Sequence, residues 1–315
     1  MRIAVIDDYQ AVAHEMADWS CLPGCEVDFF CSPMRTAEEL VERLAPYEGL
    51  VVMRERTKFP ADILRQLSAL KLLVTTGMNN RSIDLAAARV QGIVICGTPW
   101  AEDTTVELTW GLILSIARWI PQEDASLRGG RWQSRLGVSL RGKTLGIVGL
   151  GTIGTKVAQI GKLFGMRVIA WSPNLTATRA SAAGVELSTK DDLLSSSDVL
   201  SMHLILSDTT RGIIGAAELA KMKPTALVIN TARGPLIDEY ALGEALREGH
   251  VAGAAVDVFD AEPIEATHPL LNAPHTILTP HIGYVTREVY SAWYAAVVED
   301  IAAYLAGAPL RHLNP

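Results

Sequence analysis

Little in this chain suits a cross-linked, membrane-spanning or nucleic-acid-binding protein. Its 315 residues hold only four cysteines, Cys21, Cys25, Cys31 and Cys96. Four in so long a chain make no disulfide framework, so they are read as reduced thiols. Cys21 and Cys25 have only His14 nearby as a further ligand, short of the donor set a structural metal takes, and no metal is expected. Long apolar runs are also missing. The most tempting, Trp110 to Ile120, is interrupted by Arg118 and falls well short of the roughly 20 residues that span a bilayer. The opening MRIAVIDDY reads as a strand meeting acidic residues, not as a secretory signal, so a cytoplasmic protein is expected. With a formal net charge of −7 and no Lys/Arg cluster interleaved with aromatics, neither nucleic acid nor an anionic membrane is an expected partner.

What is present is alternation. From residue 1 to about 97 the chain passes through RIAVI, TAEELVERL, GLVVM, PADILRQL, KLLVTT, SIDLAAARV and GIVIC, short β-branched runs separated by helical patterns. That order predicts a parallel sheet wrapped by helices. A nearly continuous helix is expected from about Thr104 to Arg128, apolar around much of its circumference and therefore buried on more than one side. Trp110, Trp119 and Trp132 fall in or just after it, so it reads equally as a subunit interface or as an interdomain helix within one chain. A second alternation begins near Lys143 and has the shape of a six-strand doubly wound nucleotide domain. The last helix, Thr286 to Leu305, lies beyond that sheet. The expected architecture is α/β, with two Rossmann-like domains. A smaller, flavodoxin-like substrate domain comprises 1–98 and 287–315, and a doubly wound parallel-sheet dinucleotide-binding domain comprises 99–286.

The cofactor reading rests on TLGIVGLGTIGTKVAQIGKLFG, where an apolar strand runs into Gly149, Gly151 and Gly154 and then into a helix. Gly149 permits the tight turn, Gly151 lets backbone approach a pyrophosphate, and Gly154 allows close helix–strand packing. Free N–H groups at the helix start, around Thr152 and Ile153, face the phosphates. The following strand, MRVIAW, ends at Ser172, where an NAD-specific site usually carries Asp or Glu for the adenosine ribose. Losing that carboxylate removes repulsion against a 2′-phosphate, and Arg179 is the nearest cation to attract one. NAD and NADP both stay open.

Three more strand ends carry polar groups. TALVINTARGPLID places Arg233 on the loop after a strand, VAGAAVDVFDAEP gives Asp257 and Glu262, and TILTPHIG gives His281. Each alone is commonplace. Together they deliver a guanidinium for a carboxylate, a proton carrier and its partner to the rim where open α/β sheets bind ligands.

These motifs, GLGTIG, SMHLILSDTTRGII, KMKPTALVINTARGPLID, VDVFDAEP and TPHIG, resemble the D-isomer-specific 2-hydroxyacid dehydrogenase family over essentially the whole chain, near short phosphoglycerate dehydrogenases and glyoxylate/hydroxypyruvate reductases. The resemblance implies NAD(P)-dependent interconversion of a D-2-hydroxyacid and its 2-ketoacid by a homodimer, with His281 as general acid/base, Glu262 as its hydrogen-bonded partner and Arg233 as substrate binder. It further implies that Asp257 holds the nicotinamide carboxamide, that Thr231 and Ala232 line the nicotinamide pocket, and that His203 belongs to the cofactor-facing set. Arg54 and Arg56 in VVMRERTKFP sit where phosphoglycerate dehydrogenases carry phosphate-facing arginines. The resemblance also implies that backbone N–H groups around Met78 and Asn79 in TTGMNNRSID take the substrate carboxylate. Asn79 replaces a usual glycine, and Trp100 and Tyr284 add bulk, so the resemblance leaves the acid itself open. No regulatory domain of the kind longer phosphoglycerate dehydrogenases carry is expected after the last helix. Formate dehydrogenase is disfavoured, because that relative has glutamine where Glu262 stands. 3-Phosphoglycerate dehydrogenase specifically, or a nucleotide-sensing corepressor-like binding protein, are the alternatives.

Overall fold

The computed structural model describes residues 1–99 and 104–315. The chain divides into two units, Met1–Glu102 with Val285–Pro315, and Asp103–Tyr284. In the first, β1 (Arg2–Val5), β2 (Glu26–Phe29), β3 (Gly49–Val52), β4 (Leu72–Thr75) and β5 (Val94–Gly97) pair in the order β2-β1-β3-β4-β5, all parallel. β3 and β4 are buried at every position, which explains their apolar sequence, with Thr75 the one polar residue: helices cover both faces of a parallel sheet. The strand order reverses between β1 and β3, so the loops leaving those strands flank the switch point where such sheets take ligands. The sequence reading passes over β2. EVDF lies at the edge and is nowhere fully buried, so it lacks the apolar signature of its neighbours. Instead Asp28 is held by Arg2 Nη2 at 2.9 Å and by the Tyr47 hydroxyl at 2.6 Å.

The long helix Arg287–Leu305, capped by Thr286, is part of this same unit and buries Tyr290, Trp293, Tyr294, Val297 and Ile301. The tail after it runs back along β5, with Leu313 N–H donating to the Ile95 carbonyl at 2.8 Å.

In the second unit β6 (Thr144–Val148), β7 (Arg167–Trp171), β8 (Glu186–Leu187), β9 (Val199–Met202), β10 (Leu227–Asn230), β11 (Gly253–Val256) and β12 (Thr276–Leu278) form one parallel sheet, ordered β12-β11-β10-β9-β6-β7-β8. It has seven strands where six were expected. The extra one, β8, is a two-residue exposed edge, too short to leave a pattern. Order reverses between β6 and β9, so the glycine loop leaves the sheet at its switch point.

The expected single helix from Thr104 to Arg128 is two, Thr104–Ala117 and Ile120–Arg128. Trp119 between them takes a left-handed φ of 56° and Pro121 stands in the opening turn of the second. Proline lacks the N–H an interior position needs but suits a first turn. Trp110 is buried inside the unit, stacked on Phe164 with ring centroids 4.8 Å apart, so its bulk serves this core. Trp100 lies outside the described residues. Among the described residues no helix is long and apolar enough to cross a membrane, and no group of three or more His, Cys, Asp and Glu is placed to hold a metal ion.

Candidate active site

The carboxyl end of β6 builds a cradle. Gly149 has φ of 102°, and a Cβ there would meet the His203 carbonyl carbon and oxygen at 2.6 Å. Only glycine serves that turn. At Gly154 a Cβ would stand 2.1 Å from the Gly149 carbonyl oxygen, so the helix Thr152–Leu163 can press onto its strand only without a side chain there. Gly151 is the opposite case, with nothing within 4 Å of its would-be Cβ. It also starts the helix with no side-chain cap. An open approach plus uncapped N–H groups on a helix of this length fits a dinucleotide's pyrophosphate. Thr152 and Ile153 form the first turn of that helix.

Ser172 follows β7 and its carbonyl accepts from Leu175 N–H at 3.1 Å. Arg179, on the next helix, reaches back to the Leu150 carbonyl at 3.5 Å, which brings its guanidinium to the glycine loop. His203 stands just past β9, its N–H bonded to the Val148 carbonyl at 2.7 Å and its ring Nε2 2.8 Å from Ser201 Oγ. Desolvation by the surrounding protein pushes this imidazole down to about 3, so the ring is neutral.

β10, β11 and β12 are adjacent and parallel, so their carboxyl ends share one edge of the sheet. At the end of β12, His281 takes a left-handed φ of 54°, a conformation that costs a β-carbon residue about 1–3 kcal/mol and persists only where its surroundings enforce it. Asp257 does the enforcing. Fully buried after β11, it accepts from Thr279 Oγ1 at 2.6 Å, Ile282 N–H at 2.9 Å and Gly283 N–H at 3.0 Å. Burial pushes its carboxyl above the usual range, partly offset by the Thr279 hydroxyl and the loop's N–H groups. The Gly283 carbonyl in turn accepts from the hydroxyls of Thr104 at 2.8 Å and Thr105 at 3.2 Å.

Glu262 arrives from the loop after β11. Its Oε2 lies 2.6 Å from His281 Nδ1, and its Oε1 accepts from Phe259 N–H at 2.8 Å. With Nδ1 engaged by the carboxylate, Nε2 is the ring atom left to exchange a proton. Arg233 follows β10, donating through Nη1 to the Ala232 carbonyl at 2.7 Å, while Asn230 accepts from Ala232 N–H and donates to the Arg233 carbonyl. Thr231 is buried, its hydroxyl 2.7 Å from that of Thr109. The next residue explains how the two loops meet. A Cβ on Gly234 would lie 2.0 Å from the Phe259 carbonyl carbon and 2.4 Å from Asp260 N, so the Arg233 loop rests backbone to backbone on the Glu262 loop. Tyr284 sets its ring edge against His281, centroids 5.5 Å apart.

In the first unit, Arg54 has φ of 53° and follows β3. Its guanidinium donates to the Thr76 carbonyl at 3.3 Å and lies over Trp293 at 5.8 Å. Arg56 instead donates to the Asp7 carbonyl at 2.8 Å and covers the Tyr9 ring at 4.8 Å. Met78 and Asn79 are exposed on the loop after β4.

Sequence reasoning missed Thr104, Thr105, Thr279 and Gly234. The threonines act on residues far along the chain, so no local spacing announces them. Gly234 had a signal, a glycine directly after the expected substrate arginine.

The family described as D-isomer specific 2-hydroxyacid dehydrogenase, NAD binding domain, matches residues 110–283. D-3-phosphoglycerate dehydrogenase of Archaeoglobus fulgidus is 38% identical over 306 residues, 96% of this chain and 58% of that protein. The chain therefore spans little more than half the length of that relative. Glyoxylate reductase of Aeropyrum pernix is 40% identical over 260 residues, covering 79% of this chain and 78% of that one. Among solved structures, phosphoglycerate oxidoreductase from Vibrio cholerae o395 superposes with a TM-score of 0.93 at 36% identity, over 98% of this chain and 100% of that chain.

Proposed function

This chain belongs to the D-isomer specific 2-hydroxyacid dehydrogenase family, and we propose that it interconverts a D-2-hydroxyacid and its 2-ketoacid with NAD or NADP, acting as a ketoacid reductase when the reduced cofactor is supplied. The observation that carries this reading is the 2.6 Å contact between His281 Nδ1 and Glu262, on the same sheet edge as Arg233. A carboxylate on Nδ1 fixes the ring's tautomer and direction, leaving Nε2 to give a proton to the substrate oxygen in reduction and take it back in oxidation. Arg233 pairs with the substrate carboxylate and stabilises charge developing on the 2-oxygen. When bound, the nicotinamide dinucleotide supplies or accepts the hydride at substrate C2. Gly149, Gly151, Thr152, Ile153 and Gly154 take its pyrophosphate. Ser172 meets the adenosine ribose, and His203, Thr231, Ala232 and Asp257 flank the nicotinamide. Residues 99–286 form the cofactor domain, and 1–98 with 287–315 the substrate domain, where Arg54, Met78 and Asn79 serve the acid.

The working form is a cytoplasmic homodimer. Support comes from an irregular segment after the helix Ile120–Arg128, where Trp132 is 78% and Leu136 92% exposed, a large apolar display for a chain acting alone. The four free cysteines suit a reducing compartment. Glyoxylate, hydroxypyruvate, pyruvate and 3-phosphoglycerate, each assayed with NADH and NADPH, test the activity. Turnover of one or more, with a dimeric mass in sedimentation, is expected. Cofactor binding without turnover of any of the four would favour the corepressor-like reading.

A further inference from the structure

A second imidazole–carboxylate pair lies behind the first. Glu239 opens the helix Glu239–Arg247, and its Oε2 is 3.0 Å from His268 Nε2, with both side chains largely buried at 11% and 12% exposure. Its other oxygen, Oε1, accepts from Asp260 N–H at 3.0 Å. The imidazole is fixed at its far side as well: His268 Nδ1 accepts from Leu270 N–H at 3.4 Å, and the ring stands edge-on to Phe259, centroids 5.3 Å apart. An accepting Nδ1 puts the ring proton on Nε2, so His268 donates to Glu239.

The geometry has a direction. Glu239 and His268 grip Phe259 and Asp260, and the Phe259 N–H holds Glu262 Oε1 at 2.8 Å while Oε2 meets His281. Asp260 is also tied to Arg211, Nη1 to Oδ1 at 3.1 Å, but that pair is exposed on both sides and holds a side chain, not the backbone. A buried carboxylate bonded to a backbone N–H is the firmer restraint, because charge-assisted bonds strengthen away from water. We propose that Glu239 and His268 are positioning residues that fix the Phe259–Asp260 backbone, so that Glu262 meets the His281 ring in one orientation. This rests on the dehydrogenase reading for its kinetic consequence, and on the hydrogen-bond geometry alone for the restraint.

The test uses the whole 315-residue chain. Glu239→Ala is expected to lower kcat about tenfold, as sub-ångström misplacement of a reacting group does, with substrate KM and NADH Kd changed by less than about twofold. In a Glu262→Gln background the same substitution should cost less than about twofold more, because its effect is routed through Glu262. His268→Gln, which keeps an N–H donor toward Glu239, should retain most of the rate, and His268→Leu should not. Hydrogen exchange of residues 257–264 should rise in Glu239→Ala and His268→Leu with the rest of the protein unchanged. That last readout needs no turnover, so it stands even if none of the four ketoacids is reduced. Full additivity with Glu262→Gln, equal rates for His268→Gln and His268→Leu, or unchanged exchange at 257–264 overturns the proposal. Should Glu239→Ala fail to fold, the two His268 variants decide the matter by themselves.

Discussion

The rims of the two sheets hold their polar side chains by different means. In the seven-stranded sheet, carboxylates out of bulk water grip the loops: buried Asp257 holds the loop of His281 through the Thr279 hydroxyl and two backbone N–H groups, and half-buried Glu262 and largely buried Glu239 each take a backbone N–H of the loop after β11. In the five-stranded sheet buried Asp8 likewise takes the backbone N–H groups of Val12 and Ala13, but the arginines after β3 are held by carbonyls and rings. Arg56 and Arg54 donate to the carbonyls of Asp7 and Thr76, and rings of Tyr9 and Trp293 lie beneath them. Proton transfer needs a ring fixed to within a fraction of an ångström, whereas binding an anion needs a charge in range. On the proposed function, the first rim suits the former and the second the latter.

The largest expected effect removes the centre of the first rim. His281→Ala should lower kcat by about 10³-fold or more, since general acid–base catalysis contributes on that order, with NADH Kd within about twofold because the glycine loop is untouched. Stopped-flow turnover beside a fluorescence titration measures both. Near-normal turnover would remove His281 from the chemistry and leave the contrast between the rims without its reason.

Next comes the seam between two loops of the same rim. A methyl on Gly234 would have to enter space held by Phe259 and Asp260 backbone, so Gly234→Ala is expected to destabilise by ~3 kcal/mol and to lower kcat about tenfold or more by moving Arg233 away from Glu262. Gly151→Ala is the control. With open space before it, it should leave the melting temperature unchanged and weaken NADH binding by blocking close backbone approach. Equal melting temperatures for all three proteins would mean that the loops can separate at no cost.

How much of this was legible beforehand follows the range of the interactions. The glycine loop, the strand ends carrying Arg233, Glu262 and His281, and the α/β layering are local patterns, and the seven- and five-stranded parallel sheets carry them. The edge strands β2 and β8 were not legible, because an exposed edge needs no apolar run. The break at Trp119 was readable in principle from Pro121, but the apolar periodicity on either side masked it. The grip of Asp257 on residues 279–283 and of Glu239 on Asp260 was not readable at all. Those partners lie about twenty residues apart or more in sequence, and a lone acid at a helix start or strand end has many commoner uses.

The second rim is tested by separating its two arginines. Arg54→Met is expected to raise KM for an anionic ketoacid about tenfold while kcat stays within about twofold, the signature of lost uniform binding. Arg56→Met should do the reverse. It removes the donor to the Asp7 carbonyl, beside a carboxyl that burial already raises and that the Arg56 charge helps hold down, so it should lower the melting temperature with KM little changed. If both variants change KM alike, Arg56 faces substrate too and the distinction between restraint and reader fails.

The smallest effect concerns the far end of the cofactor. In the proposed site Ser172 stands where a carboxylate would repel a 2′-phosphate, and Arg179 already reaches the Leu150 carbonyl at 3.5 Å, bringing its charge to the glycine loop. Ser172→Asp should therefore cut the NADPH/NADH ratio of kcat/KM about tenfold, roughly the 1.4 kcal/mol that one added charge a few ångströms away supplies in a high-dielectric site. Arg179→Ala should shift the ratio the same way by a smaller factor and leave NADH itself unaffected. The acid–base rim should not notice either change, so kcat with saturating NADH is expected to hold. A fall in that kcat would mean that the adenosine end and the His281 loop are mechanically coupled, and an unchanged ratio would mean that neither Ser172 nor Arg179 meets the ribose.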